Sequence, residues 1–265
     1  MKSFEQLNKI RAVSPLIHNM TNQVVANHVA NGLLAIGASP IMAYAKEEVG
    51  LIASQASCLV LNIGTITTPI FESMLVAGRG ANENDVPIVL DPVGVGASPY
   101  RQEIVKTLLS ELKISLIRGN GGELAQLANV PWQARGVDSG AGQYSLARMA
   151  REVALANDCV VAISGERDWI SDGTRLASVD NGHLLMTRVT GMGCLLSGVC
   201  GAFIGSYPNV FESTVAAHAI YGIAGEKAAM ATNLPSSFKV EFINQLFLLN
   251  ESDQFLLKIR EEMGS

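Results

Sequence analysis

The chain has 265 residues, of which 48% are hydrophobic and 16% charged, against about 25% charged in an average soluble domain, so a large core is easy to build. A formal net charge of −5 with no basic block or arginine stripe argues against nucleic-acid or membrane-surface binding. No apolar run reaches the ~20 residues of a membrane span. Cys58, Cys159, Cys194 and Cys200 show no C-x-x-C or zinc spacing, and Met1 to Leu7 read as a helix start rather than a signal peptide, so a soluble, cytoplasmic protein is expected.

In chain order, residues 3–13 read as an amphipathic helix and 16–20 as a strand. Thr21 or Asn22 then caps a helix that runs to Ile36 and closes at Gly37. Residues 40–44 make a short strand, 46–57 a helix, and 58–63 a buried strand broken by Gly64. A helix over 67–78 follows, then a strand over 87–90 ending at Asp91-Pro92, a helix over 100–112 and a strand over 114–117. Gly119-Asn120-Gly121-Gly122-Glu123 opens another helix, and Pro131-Trp132 marks a turn. Residues 145–157 are helical, and 159–163 form a strand ending at Ser164-Gly165. Two or three short strands are expected between Trp169 and Leu185, turning at Asp172-Gly173 and Asn181-Gly182, with the last of them at about 183–187. Residues 210–231 and 237–260 read as mostly helical.

Helices alternate with strands that are continuous apolar runs. That pattern predicts an α/β fold in one domain, with a mostly parallel central sheet and helices on both faces. Ligands of such sheets bind beyond the carboxyl ends of the strands. There the sequence collects His18-Asn19, Met42, Gly64, Asp91, Arg118 with Asn120 and Glu123, and Ser164-Gly165-Glu166.

The glycine turn Thr190-Gly191-Met192-Gly193 joins them and runs into an apolar helix at Cys194. Free N–H groups and the helix dipole make such a turn an anion site, and the same field is expected to lower the Cys194 thiol pKa. The competing reading is a glycine-capped buried helix with a core cysteine. Gly198, Gly201 and Gly205 share one face of that helix and demand a close neighbour, since each costs about 1 kcal/mol against alanine. Asp91 and Glu123 could hold Mg²⁺, or could be a turn aspartate and a helix-capping glutamate. Arg118 suits phosphate or a structural ion pair. His28 and His218 read as structural, which leaves His18 as the histidine for the cleft. The chain has no Walker-type phosphate loop, no protein-kinase signature and no dinucleotide fingerprint.

Thr190-Gly191-Met192-Gly193-Cys194 resembles the phosphate-binding turn of ribokinase-like small-molecule kinases, whose last position is usually aspartate. A cysteine there, with His18-Asn19-Met20-Thr21-Asn22, Asp91-Pro92-Val93-Gly94, Arg118-Gly119-Asn120 before Glu123, and Ser164-Gly165, resembles the hydroxyethylthiazole kinase family over nearly the whole chain. Met192 departs from the family's usual threonine. The resemblance implies a ribokinase-like fold and ATP-dependent phosphorylation of the hydroxyl of 4-methyl-5-(2-hydroxyethyl)thiazole, in thiamine biosynthesis or salvage. It assigns Cys194 to catalysis, Asn19, Met42 and Gly191 to the thiazole, Arg118, Ser164 and Gly193 to ATP, and Asp91 and Glu123 to Mg²⁺. It also implies a homotrimer with sites at subunit boundaries. The alternatives are a hydroxymethylpyrimidine-type kinase of the same superfamily, a nucleotide-dependent hydrate dehydratase on the same fold, which expects aspartate at position 194, a cysteine-nucleophile hydrolase, or a binding protein without turnover.

Overall fold

A strand points successive side chains to opposite faces, so an unbroken apolar run can be buried only between two layers. The computed structural model describes residues 3–130 and 145–262 and has this arrangement; the turn expected at Pro131 and Trp132 lies outside the described residues. The strands β1 (Leu16–Met20), β2 (Ser39–Ile41), β3 (Cys58–Asn62), β4 (Ile88–Asp91), β5 (Leu116–Asn120) and β6 (Val160–Ser164) run parallel, in the order β2-β1-β3-β4-β5-β6. Beyond β6 the sheet continues antiparallel through β7 (Asp168–Ser171), β8 (Leu176–Val179) and β9 (Ile259–Glu262).

One face is covered by α1 (Ser3–Val13), α2 (Ala26–Ile36), α8 (Met192–Ser206), α9 (Val210–Ala231) and α10 (Pro235–Leu248). The other carries α3 (Val49–Gln55), α4 (Thr68–Glu83), α5 (Pro99–Glu111), α6 (Gly121–Leu127) and α7 (Leu146–Asn157). In β3, Val60 packs into the first layer while Leu59 and Leu61 pack into the second. The all-round apolar sequences of α8 and α9 follow from their central place in the first layer, where both are buried along most of their length.

Five expectations give way to the structure. α2 begins at Ala26, with Val25 rather than Thr21 or Asn22 at its N-cap, because the Asn22 side chain is engaged elsewhere. β5 runs on to Asn120, held by pairing with β6 as far as Asn120↔Ser164, where local glycines had marked a strand end. Residues Leu184–Arg188 form a 3₁₀ turn and not a strand. Asn181 makes no hairpin there; its amide instead donates to the Leu256 carbonyl (2.9 Å) and accepts from Lys258 N (2.8 Å). The helix expected over 237–260 stops at Leu248. The chain then turns through Glu251–Leu256 and adds β9 to the sheet edge, a tertiary pairing that outweighs the helical look of Ile259-Arg260-Glu261-Glu262.

The glycines of α8 have the close neighbours they require. A Cβ on Gly201 would lie 2.9 Å from Val60 Cγ2, and one on Gly205 would lie 2.9 Å from the backbone oxygen of Ser57. The helix therefore rests directly on the sheet, which fixes the height of its N-terminus. Backbone cannot yield as a side chain can, so Gly205→Ala should lose about 1–3 kcal/mol of stability in denaturant unfolding, despite alanine's better helix propensity. Unchanged stability would mean that α8 is free to lift.

Candidate active site

The two-residue period of the strands decides which polar residues meet. Val60, Val89, Leu116 and Ala162 all face the α8–α9 layer. Two residues further along each strand, Asn62, Asp91, Arg118 and Ser164 fall on the same face at the carboxyl ends of β3 to β6. Asn62 and Asp91 are register partners. The N-terminus of α8 stands over this row.

Gly191 makes the turn possible. It sits at the N-cap of α8 with φ +88°, a left-handed conformation that side chains strain to adopt, and no side chain caps the helix. The first helical bond there runs from Leu195 N to Gly191 O at 2.8 Å, so the N–H groups of Met192, Gly193 and Cys194 stand outside the helical ladder. Gly193 allows Arg118 to approach: a Cβ there would come within 2.8 Å of Nη1. Met192 turns its side chain into the core, and its carbonyl accepts the Tyr221 hydroxyl at 2.6 Å, which ties the turn to α9.

Arg118 is only 6% exposed, and its Nη2 donates to the Ser164 hydroxyl. Burial pulls the guanidinium pKa down, but the carboxylates of Asp91 and Glu123 more than offset it, so Arg118 is held above its ordinary value. Asp91 is buried, and its Oδ2 accepts from Asn62 Nδ2 (2.7 Å) and Ser197 Oγ (2.8 Å). Among the described residues its Oδ1 has no hydrogen-bond partner. Burial pushes Asp91 up to about 6 against the pull of Arg118. Glu123 completes a capping box with Asn120 and ties α6 to the loop after β4: Oε2 accepts from Asn120 N and Oε1 from Gly94 N, both at 2.9 Å. Beside Arg118 and Ser164 opens a cavity of about 720 Å³, which reaches past Gly193 to the Leu184–Arg188 turn.

Cys194 lies half-buried in the first turn of α8. Its Sγ accepts from Asn22 Nδ2 at 3.4 Å, and the same Nδ2 donates to Asn62 Oδ1 at 3.0 Å. The helix-terminus argument for a lowered thiol pKa does not hold here. Burial, seconded by the Asp91 charge, raises Cys194 to about 11 against the hydrogen bonds from Asn62 and Asn22 and the charge of Arg118. The group at neutral pH is a thiol.

The structure thus brings Asp91, Arg118, Glu123, Ser164, Gly191, Gly193 and Cys194 together. Met42 is half-buried just past β2, two strands from Asn62. Asn19 and His18 are each 0% exposed, so neither side chain opens on a cleft. Asn19 lies under Gly198, and the Nε2 of His18 meets the Ala43 carbonyl at 3.0 Å. Asn62, Asn22 and Ser197 are site residues that the sequence reading passed over. Counting two residues on from Val60, as from Val89 to Asp91, would have placed Asn62 beside the aspartate.

A mostly parallel sheet covered on both faces, with an uncapped glycine turn over its carboxyl edge, is a ribokinase-like fold. A ribokinase-like superfamily protein from Enterococcus faecalis has the same fold, with a TM-score of 0.62 at 13% identity over 87% of this chain and 86% of its own. The particular family is equally plain. Residues 7–252 match the model of the hydroxyethylthiazole kinase family, and the chain belongs to that family. A hydroxyethylthiazole kinase from Listeria monocytogenes serotype 4a (strain HCC23) is 52% identical over 248 residues, covering 93% of this chain and 92% of the relative. The solved structure of the hydroxyethylthiazole kinase protein from Pyrococcus horikoshii OT3 matches with a TM-score of 0.90 at 37% identity, over 99% of this chain and all of that one.

Asp91 carries a linked stability effect. Below about pH 4 both the folded and unfolded carboxyls are protonated and its burial costs little. As pH rises through about 6 the folded state must bury the charge, so stability falls. Asp91→Asn keeps an oxygen for Asn62 and Ser197 and should therefore be more stable than the parent by about 1–3 kcal/mol at pH 8, with the two nearly equal at pH 4, in denaturant unfolding. A variant less stable at pH 8 would contradict the raised pKa.

Proposed function

We propose that the chain transfers the γ-phosphoryl group of ATP to the hydroxyl of 4-methyl-5-(2-hydroxyethyl)thiazole, as its membership of the hydroxyethylthiazole kinase family implies. The observation that carries the reading is one juxtaposition: the free N–H groups of α8 lie between the buried Arg118 cation and the Cys194 thiol. Phosphoryl transfer needs mainly positioning and charge stabilisation, and the turn offers both. ATP occupies the cavity beside Arg118 and Ser164 with its terminal phosphate at Gly193. The acceptor lies on the other side of the turn, with Gly191 and Met42 among its contacts.

Mg²⁺ fits the acids present. The unpartnered, buried Oδ1 of Asp91 is a hard oxygen without a hydrogen-bond donor, and Glu123 stands close enough to Asp91 to perturb its pKa. Asp91 and Glu123 would hold the ion. The bound ion would neutralise phosphate charge. Cys194, as a neutral thiol, orients the acceptor hydroxyl rather than taking its proton, because a group with a pKa of about 11 is a poor base near neutrality. A loose transition state asks for little deprotonation before attack.

Association as a homotrimer with sites at the subunit boundaries is part of the proposal. Leu234, Val240, Phe247 and Phe255 expose 61, 64, 68 and 82% of their surface on and beside α10, which supports burial against other subunits. Four free cysteines fit a cytoplasmic setting, and among the described residues no helix is long and apolar enough to cross a membrane.

A coupled ADP-release assay should show turnover with the thiazole alcohol, much less with a hydroxymethylpyrimidine, and none without acceptor. Cys194→Ala should lower kcat about ten- to hundredfold and leave the KM for ATP within about twofold. ADP release indifferent to the thiazole would refute the reading, and an unchanged kcat would remove Cys194 from the mechanism. Light scattering of the same preparation should give three times the chain mass; a monomer would refute the trimer.

A further inference from the structure

The cavity beside Arg118 has a polar wall that the chemistry above does not use. Asp168, at the start of β7, and His218, in the middle of α9, both line it. They are 9% and 1% exposed, and the Nδ1 of His218 lies 2.6 Å from Oδ2 of Asp168. The other carboxylate oxygen, Oδ1, accepts the N–H of Gly165 at 2.9 Å. Gly165 follows Ser164, whose hydroxyl accepts from Arg118. A continuous polar chain therefore runs from α9 through Asp168 and the Ser164-Gly165 loop to the guanidinium. His218 is buried on α9, and among the described residues its Nε2 has no partner. Packing alone would favour an apolar side chain at that position, since a buried unpartnered nitrogen costs stability.

We propose that Asp168 and His218 are positioning residues for the nucleotide: together they hold the Ser164-Gly165 loop against Arg118 and so set the affinity of the cavity for ATP, without touching the acceptor side. The proposal rests on the reading that this cavity takes ATP. Its geometry defines what His218 must supply. Asp168 is an acceptor, so Nδ1 carries the proton, and an anchored carboxylate can then hold the Gly165 N–H in one place. Without that donor, Asp168 is a carboxylate with one buried oxygen unsatisfied. It is then free to turn away from Gly165 toward the open side of the cavity, and the loop loses its fixed point.

Asparagine carries its amide at the reach of Nδ1 and glutamine at the reach of Nε2, which separates the hydrogen bond from the packing. ATP affinity is measured by titration calorimetry without acceptor, so that the result does not depend on turnover, and melting temperatures confirm folding. His218→Gln and Asp168→Ala should each weaken ATP binding about tenfold, equivalent to about 1.4 kcal/mol, while His218→Asn stays within about twofold of the parent. The KM for the thiazole alcohol should stay within about twofold in all three. Parent-like ATP binding by His218→Gln or by Asp168→Ala would overturn the proposal. So would an Asn variant as weak as the Gln variant, or a parallel rise in the acceptor KM. If the parent binds ATP but does not phosphorylate the thiazole, the functional reading fails while this inference is still tested. If the parent turns over and all variants bind ATP alike, only the inference fails. A parent that binds no ATP removes both.

Discussion

Burying the Arg118 guanidinium is the constraint around which the rest of the site is arranged. A cation with 6% exposure must be surrounded by charge and dipole of the opposite sense, and the carboxylates of Asp91 and Glu123 are the foremost of these. Asp91 in turn is desolvated while Glu123 stays half-buried, and each is tied down: Asp91 by Asn62 and Ser197, Glu123 by the backbone of Gly94 and Asn120. The row of residues at the ends of β3 to β6 thus behaves as one electrostatic unit. The positive end of α8 sits over it, and that placement is fixed by the bare glycine face where the helix meets β3. An incoming phosphate would meet a cation and free N–H groups already held in place, with no reorganisation needed at the moment of reaction.

The same desolvation decides the state of Cys194. A helix N-terminus lowers a thiol pKa when water can reach it, but here burial outweighs it and the neighbouring Asp91 charge adds to the rise. In the proposed reaction the thiol would orient the acceptor and stay neutral beside the incoming anion. Two buried groups that titrate away from their usual ranges, an acid near 6 and a thiol near 11, are products of one low-dielectric environment.

Much of this was legible in the sequence, because the apolar runs of β3, β4 and β6 are long enough to require a sheet buried on both faces, and helix caps such as Gly37 and Thr67 stand where the helices change. Glycines at 191 and 193 before an apolar helix located the uncapped turn at the start of α8, and the cysteine in that turn narrowed the family. The acid candidates split as the two readings of them allowed. Glu123 has the capping box, yet it also faces the site, whereas Asp91 is no plain turn residue. What escaped was contact between distant stretches. Asn22 reads as a helix cap until β3 brings Asn62 to it, and His218 reads as a core residue until β7 brings Asp168 within 2.6 Å. The edge strand β9 was hidden for a similar reason: a short, charged segment that reads as helical by itself becomes a strand only by pairing with β8.

The central claim is that the terminal phosphate sits on the N–H groups of residues 192 to 194, between Arg118 and the thiol. A crystal structure with a non-hydrolysable ATP analogue, Mg²⁺ and the thiazole alcohol tests it most directly. The account predicts γ-phosphate oxygens within hydrogen-bond reach of the Gly193 and Cys194 N–H groups, with the acceptor hydroxyl about 3–3.5 Å from phosphorus and in contact with Cys194. A γ-phosphate bound away from this turn, or an acceptor hydroxyl remote from the thiol, would contradict it.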